Sequence, residues 1–252
     1  MPDIRLIPCL SDNYAVLLRE GETVVLVDAP EAAPIQKVLK DENWRLTHIL
    51  VTHKHDDHIA GLPALAAEYA PEIIGPAAEK GSIPGLTQTV RESDVVECGP
   101  FRADVYETPG HTKGHVVFHL PEQKLLFSGD TLFALGCGRL FEDTPAAMWR
   151  SLLKLRALPD DTSVYCGHEY TLSNARFAVA VDPGNAALKS RAAEIEKARS
   201  EGRPTIPFRL GLEKATSPFL RADDPAVAAG VGKAGASADE VFAEVRERKN
   251  HA

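Results

Sequence analysis

Residues 52–58 read T-H-K-H-D-D-H, so four of seven consecutive positions, His53, His55, Asp57 and His58, carry side chains that bind first-row metal ions. Residues 47–51 (T-H-I-L-V) before it have the character of a buried strand, and residues 59–69 (I-A-G-L-P-A-L-A-A-E-Y) after it that of a helix. The ligand-type residues therefore fall at a strand-to-helix turn. Two apart in extended chain, His53 and His55 point to one side, whereas Asp57 and His58 fall where the chain turns and point to a neighbouring position. One short segment can thus serve two adjacent metal sites. Imidazole and carboxylate without thiolate suit zinc, iron or manganese in an open, catalytic site rather than a closed structural one. The competing explanation is a polar loop of satisfied histidines, and three imidazoles plus a carboxylate in so short a span weigh against it.

Outward from this segment, 252 residues are long for one domain and short for two large ones, which predicts a main domain with an appendage. A 44% hydrophobic fraction and 25% charged residues are those of an ordinary globular protein with a sizeable core. A net charge of −8 argues against a nucleic-acid-binding surface, and any anionic ligand must be met by specific Arg and Lys residues. No charged and then apolar leader stands at residues 1–10, and no apolar run approaches a membrane span, so a cytoplasmic location is expected. Cys9, Cys98, Cys137 and Cys166 lack C-x-x-C spacing and are expected to be reduced thiols.

Taken in order, residues 4–7, 14–19 and 23–27 read as short strands, with Gly21-Glu22 a hairpin turn and Asp28 at a strand end. Asp28 is favoured as an acceptor for a ligand histidine, with direct ligation or a turn residue the alternatives. Residues 34–41 have helical spacing, 72–75 form a short strand, and 76–90 are loop-rich. Strands at 95–98 and 101–108 lead into T-P-G-H-T-K-G-H, which carries His111 on a glycine-flanked turn. Strands at 116–120 and 124–128 lead to Gly129-Asp130-Thr131, a helix follows at 145–158, and residues 164–168 (V-Y-C-G-H) end on His168. Ligand-type residues thus recur at strand ends, the pattern of an α/β layered domain whose strands deliver one site. From residue 171 the composition turns Ala-, Lys- and Glu-rich, with one helical face through Leu188, Ala192 and Ile195, a last helix at 238–248, and no further strand-like run. This divides the chain into 1–170, an α/β domain that carries the ligand-type residues, and 171–252, a helical appendage.

H-x-H-x-D-H followed by His111, Asp130 and His168 resembles the metallo-β-lactamase superfamily, whose fold is an αββα sandwich. By that resemblance His53, His55 and His111 hold one ion, Asp57, His58 and His168 the other, and Asp130 bridges them. D-N-Y at residues 12–14, G-C-G-R at 136–139, C-G-H-E-Y-T at 166–171, P-F-L-R at 218–221 and R-x-x-K at 246–249 resemble the glyoxalase II (hydroxyacylglutathione hydrolase) family, nearly end to end. The resemblance implies a binuclear metallohydrolase that cleaves the thioester S-D-lactoylglutathione to D-lactate and glutathione in the detoxification of methylglyoxal. It uses two divalent ions, zinc first with iron or manganese as alternatives, and a hydroxide held by both. Asp130 and Asp57 are then the candidate catalytic carboxylates, Arg246 and Lys249 the partners of the glycine carboxylate, and Arg139 and Tyr170 the contacts to the peptide. Arg139 and Phe141 stand where some members carry Lys and Tyr, and Ser217 where Asn is common.

The remaining histidines carry blander expectations: His48 and His119 as strand residues, His115 as support for its loop, and His251 as a solvated end. A monomer without nucleic-acid or membrane partners is expected. The rival readings are a glutathione persulfide dioxygenase of the same superfamily and a non-catalytic metal-binding protein; the long helical tail with R-x-x-K weighs against the first, and the mixed His/Asp set against the second.

Overall fold

Tight connections make the first three strands antiparallel: β1 (Asp3–Cys9) pairs with β2 (Asn13–Glu20), and β2 turns at Gly21 into β3 (Thr23–Val27). In this computed structural model, which describes residues 2–252, the chain gathers into two compact units. One comprises Met1–Glu107 and Lys113–Gly129, the other Thr108–Thr112 and Asp130–Ala252.

In the first unit, β3 is followed by three parallel strands, β4 (His48–Leu50), β5 (Glu72–Pro76) and β6 (Gln88–Val90), completing a six-stranded sheet in sequence order. Parallel neighbours need crossovers. The first is α1 (Ala32–Asp41), which buries Ile35 and Leu39 one turn apart; the second is the pair α2 (Asp56–Ile59) and α3 (Leu62–Tyr69). Their apolar faces close a core with Leu17, Leu26, Ile49 and Val51 of the sheet side. Four antiparallel strands follow in the order β10-β9-β8-β7, namely β7 (Val95–Cys98), β8 (Phe101–Glu107), β9 (Val116–Leu120) and β10 (Leu125–Gly129). Every residue of β9 and β10 is buried.

Two expectations are corrected here. The helix expected over residues 59–69 is two helices, broken at Ala60-Gly61. The Gly61 N–H donates to the Ala29 carbonyl (2.8 Å), and a Cβ at position 61 would lie 2.9 Å from the Ala32 nitrogen, so backbone must pass where a side chain would stand. The Ala29 N–H in turn donates to the His58 carbonyl (2.8 Å), which ties the break to the metal-type motif. The loop-rich stretch 76–90 contains a 3-10 turn, Ala77–Glu79, and the edge strand β6.

The second unit opens with a small hairpin, β11 (Leu132–Phe133) and β12 (Gly136–Cys137). Helix α4 (Pro145–Arg156) starts at Thr144, whose hydroxyl accepts the Ala147 N–H (3.2 Å), with Pro145 at its first position. Strand β13 (Ser163–Cys166) leads to α5 (Thr171–Val181) and α6 (Ala186–Ser200), which pack through Ala175, Ala178, Leu188 and Ile195 around Leu135. Then follow β14 (Phe208–Arg209), α7 (Leu210–Thr216), α8 (Pro225–Gly230) and α9 (Ala238–Asn250). The expectation of no strand beyond residue 171 is thus corrected: Phe208 and Arg209 pair with Val164 and Ser163. A two-residue strand is too short to show alternation in sequence.

Helix α9 begins with a capping box, the Ser237 hydroxyl accepting the Glu240 N–H while the Glu240 carboxylate accepts the Ser237 N–H. It buries Val241, Phe242, Val245 and Arg246, with Phe242 stacked on Trp149 of α4 at 5.7 Å. No helix among the described residues is long and apolar enough to cross a membrane.

Candidate metal centre

The C-terminal ends of β3 and β4 deliver the first group of side chains, as expected of neighbouring parallel strands. Asp28, just past β3, adopts a left-handed backbone conformation (φ 57°) and turns its carboxylate toward the end of β4. Its Oδ1 accepts the Thr52 N–H (2.8 Å); its Oδ2 accepts the Thr52 hydroxyl (2.8 Å) and the His58 Nδ1–H (2.8 Å). Because the Thr52 proton goes to Asp28, the Thr52 oxygen accepts from His53 Nδ1 at 3.0 Å. One buried carboxylate therefore sets both imidazoles in the tautomer with the lone pair on Nε2, the form that binds metal. This is the acceptor role favoured for Asp28 from sequence.

His55 stands at the start of α2 with Nδ1 3.1 Å from His53 Nε2. Asp57 is half-buried; the Asn13 side-chain amide donates to its Oδ2 (3.1 Å) and to its main-chain oxygen (3.0 Å), and His58 Nε2 lies 3.9 Å from Oδ2. Asn13, the central residue of the D-N-Y signature, thus aims Asp57. His115 is buried and stacks on His53 with ring centroids 4.8 Å apart. His48 meets the Thr47 hydroxyl, His119 is buried within β9, and His251 is exposed beside Glu247.

In the second unit Asp130 follows β10 directly, and His111 and His168 face it. His111 Nε2 lies 3.5 Å and His168 Nε2 3.3 Å from the same oxygen, Oδ2, and all three residues are buried. The His111 Nδ1–H donates to the Arg139 carbonyl at 2.8 Å, which fixes its tautomer in the same sense as His53 and His58. Tyr170 lies flat on the His168 ring, centroids 4.6 Å apart and planes 6° from parallel, with Phe133 edge-on to both. Phe141, 63% exposed, sits 5.3 Å from the His111 ring.

Each of the seven ligand-type residues read from the sequence belongs to a His/Asp group that could hold a metal ion, and among the described residues His115 belongs to none. Nitrogen and oxygen donors with tautomers fixed through Nδ1 fit divalent metal ions. The cysteines take no part: burial pushes the thiols of Cys9 and Cys98 up to about 11 and about 12 and raises those of Cys137 and Cys166 as well, so all stay protonated at neutral pH.

The remaining sequence candidates lie around the β11–β12 hairpin. Arg246 is buried; its Nη1 donates to the Cys137 carbonyl (2.7 Å), its guanidinium lies over Phe219, and its buried Nε–H has no hydrogen-bond partner among the described residues. Lys249, one turn on, donates to the Ser173 hydroxyl (2.7 Å) and lies over the Phe177 ring. Burial, then the charges of Arg246 and Arg139, hold its ammonium below the usual lysine range. The Arg139 side chain is exposed, although its carbonyl serves His111.

Sequence reasoning missed what holds this hairpin. The Asn174 amide donates to the Ala134 carbonyl (3.1 Å), and both Glu213 oxygens accept the Leu135 N–H (2.9 and 3.1 Å). Glu213 is ion-paired with Arg191, which also donates to Thr216 (2.8 Å). These are contacts from α5, α6 and α7 that no local spacing reveals. The Asp28–Thr52–His53 chain was half visible, since Thr52 precedes His53.

Two family models match the chain. A family model of the metallo-beta-lactamase superfamily matches residues 10–168, and one of the hydroxyacylglutathione hydrolase C-terminus matches residues 169–252. A hydroxyacylglutathione hydrolase of Ruegeria pomeroyi is 55% identical over 251 residues, spanning 99% of this chain and 98% of the relative. One of Rhizobium meliloti is 54% identical with the same coverage. Among solved structures, ETHE1 from Myxococcus xanthus matches with a TM-score of 0.70 at 25% identity, covering 98% of this chain and 91% of its own. The BLEG-1 B3 metallo-beta-lactamase matches with a TM-score of 0.68 at 21% identity, covering 86% and 99%, a likeness of fold.

Proposed function

The chain belongs to the hydroxyacylglutathione hydrolase family and has the metallo-β-lactamase fold, and from that premise we propose that it hydrolyses S-D-lactoylglutathione to D-lactate and glutathione at a two-metal site. His53, His55 and His111 would hold one ion, Asp57, His58 and His168 the other, and Asp130 would be open to both. Zinc is the first choice, and iron or manganese suit the same donors. When bound, two divalent ions supply Lewis acidity and lower the pKa of water toward ~7, so that hydroxide is at hand at neutral pH.

The protein's own residues do the rest. Asp28 keeps His53 and His58 in their ligating tautomers, and Asn13 holds the Asp57 carboxylate in one orientation. A carboxylate oxygen of Asp130 receives the proton that the attacking water releases. Attack at the thioester carbonyl forms the C–O bond, the C–S bond breaks, and glutathione leaves as its thiolate. Tyr170, flat against His168, offers an aromatic wall to the peptide portion of the substrate, and Arg139 offers a planar fork to its carbonyls. Phe141 brings no hydroxyl and contributes an apolar contact only.

The observation that carries the substrate assignment is the buried Arg246 Nε–H, one helical turn from Lys249 and without a hydrogen-bond partner among the described residues. An unpartnered guanidinium N–H with a lysine one turn on suits a ligand carboxylate that completes the site. The glycine carboxylate of glutathione is that ligand. The sequence division at residue 170 then separates metal chemistry from recognition of the tripeptide. The protein acts as a monomer in a reducing, cytoplasmic setting that suits its four buried thiols.

The test is thioester loss from S-D-lactoylglutathione by metal-loaded protein, with oxygen uptake on glutathione persulfide run beside it. Hydrolysis without oxygen uptake supports the proposal. Oxygen uptake without hydrolysis would replace it with a dioxygenase.

A further inference from the structure

Glu79 lies in the stretch 76–90, where the sequence shows no functional pattern, on the 3-10 turn Ala77–Glu79 that follows β5. Its residue surface is only 5% exposed, and no arginine, lysine or histidine pairs with it among the described residues. Instead Oε2 accepts the N–H of Lys54 at 2.7 Å and Oε1 accepts the N–H of Gly114 at 3.2 Å. A buried carboxylate without a counter-charge is costly, and it is kept where its bonds achieve something.

Both donors stand next to histidines of the site. Lys54 is the residue between His53 and His55, so its N–H reports where the chain runs from one imidazole to the next. Gly114 precedes His115, whose ring stacks on His53, and the adjoining Val116 N–H donates to the Thr52 carbonyl (2.9 Å). Gly114 itself has no room for a side chain: a Cβ there would lie 2.5 Å from Glu79 Cγ and 2.9 Å from the Ala78 Cβ. The H-x-H turn is therefore held by a second carboxylate besides Asp28, one that joins two backbone segments as a single bridge.

We propose that Glu79 is a positioning residue for the metal centre, fixing the spacing of His53 and His55 through the Lys54 N–H and seating the Gly114 turn against them. It touches neither metal nor substrate. The inference rests on the metal-centre reading above, but on no particular substrate. Asp28 sets which nitrogen of each ring carries the lone pair; Glu79 sets where the rings stand.

The experiment compares full-length wild type with Glu79→Gln, which keeps one acceptor, Glu79→Ala, which keeps none, and Ile83→Ala. Ile83 is a buried apolar residue of the same segment, so its truncation destabilises the fold while leaving both hydrogen-bond acceptors of Glu79 in place and serves as a stability control. In metal-free protein, amide hydrogen exchange at Lys54 and Gly114 should quicken in Glu79→Ala and remain near wild type in Ile83→Ala. With zinc loaded, Glu79→Ala should release it at chelator concentrations ~10–100-fold lower, the usual range for partners of metal ligands, with Glu79→Gln between. At saturating zinc the KM for the thioester should stay within about twofold, because uniform binding of substrate is untouched. Equal zinc retention in wild type and Glu79→Ala would overturn the inference, and so would losses that merely track melting temperature across Glu79→Ala and Ile83→Ala. If Glu79→Ala does not fold, Glu79→Gln decides by the same readouts. Wild type that binds zinc and leaves the thioester intact would overturn the proposed substrate alone; wild type that binds no metal would overturn both.

Discussion

Replacing Asp28 by Asn changes one atom and reorganises two rings. Asn tolerates the left-handed backbone found at position 28 (φ 57°), so the substitution perturbs hydrogen bonding rather than the turn. With the amide nitrogen at the place of Oδ2, the Thr52 hydroxyl must accept rather than donate and then directs its proton at His53 Nδ1. His58 Nδ1 likewise meets a donor. Both rings are driven to the tautomer with hydrogen on Nε2, which cannot bind metal. With the amide turned round, the rings keep their tautomers but the Thr52 N–H loses its acceptor inside the protein. Each charge-assisted bond lost is worth roughly 1.5–3 kcal/mol, and an orienting partner of a ligand is worth ~10–100-fold in metal affinity, about 1.4–2.7 kcal/mol on the same scale. Zinc competition with a chelator and thermal melting of the metal-free protein separate the two arrangements: the first weakens zinc binding, the second lowers the melting temperature. An Asp28→Asn variant with both zinc affinity and melting temperature at wild-type values would refute the assignment of these hydrogen bonds.

Two further outcomes follow from the second unit. Lys249 is held below the ordinary lysine range by burial and by Arg246 and Arg139, so on raising pH its charge, and with it one proposed partner of the substrate carboxylate, is lost earlier than for a free lysine near ~10.4; KM should climb on the alkaline side, and Lys249→Arg should flatten that climb because guanidinium stays charged. A Lys249→Arg profile identical to wild type would remove Lys249 from the binding site. Glu213→Gln leaves Arg191 buried without its counter-charge and should cost ~3–5 kcal/mol, a fall in melting temperature of roughly 10 °C for a chain of this size. The apolar pair Arg191→Met with Glu213→Leu should recover most of that fall while leaving the Leu135 N–H without its acceptor, and an equal or larger fall in the double variant would contradict it.

The ligand-type residues were legible because they cluster: His53, His55, Asp57 and His58 stand at strand-to-helix spacing, and His111, Asp130 and His168 each follow a strand. Most of the sheet strands were legible for the same reason, apolar runs closed by Gly, Pro and Asp; the edge strand β6 was not. What the sequence could not display is contact across distance. Glu79 has nothing around it to distinguish it from a solvated glutamate, and only the fold brings it to Lys54 and Gly114. Gly61 sits inside an unbroken apolar pattern, and a helix tolerates glycine at ~1 kcal/mol, so the break shows only once the Ala29 backbone is seen passing beside it. The hairpin Leu132–Cys137 and the strand Phe208–Arg209 are too short for any period to register. Arg246 could be read as a cation on a helix, but its burial and its bond to the Cys137 carbonyl depend on packing of α9.

The central claim is that hydrolysis of the thioester depends on two metal ions held by the His and Asp side chains. Metal-free protein titrated with zinc, with bound metal and S-D-lactoylglutathione hydrolysis measured in the same samples, tests it most directly. The rate should be negligible without metal, rise with occupancy, level off at two ions per chain and vanish on chelation. Undiminished hydrolysis by metal-free protein, or none by protein holding two ions, would contradict the account.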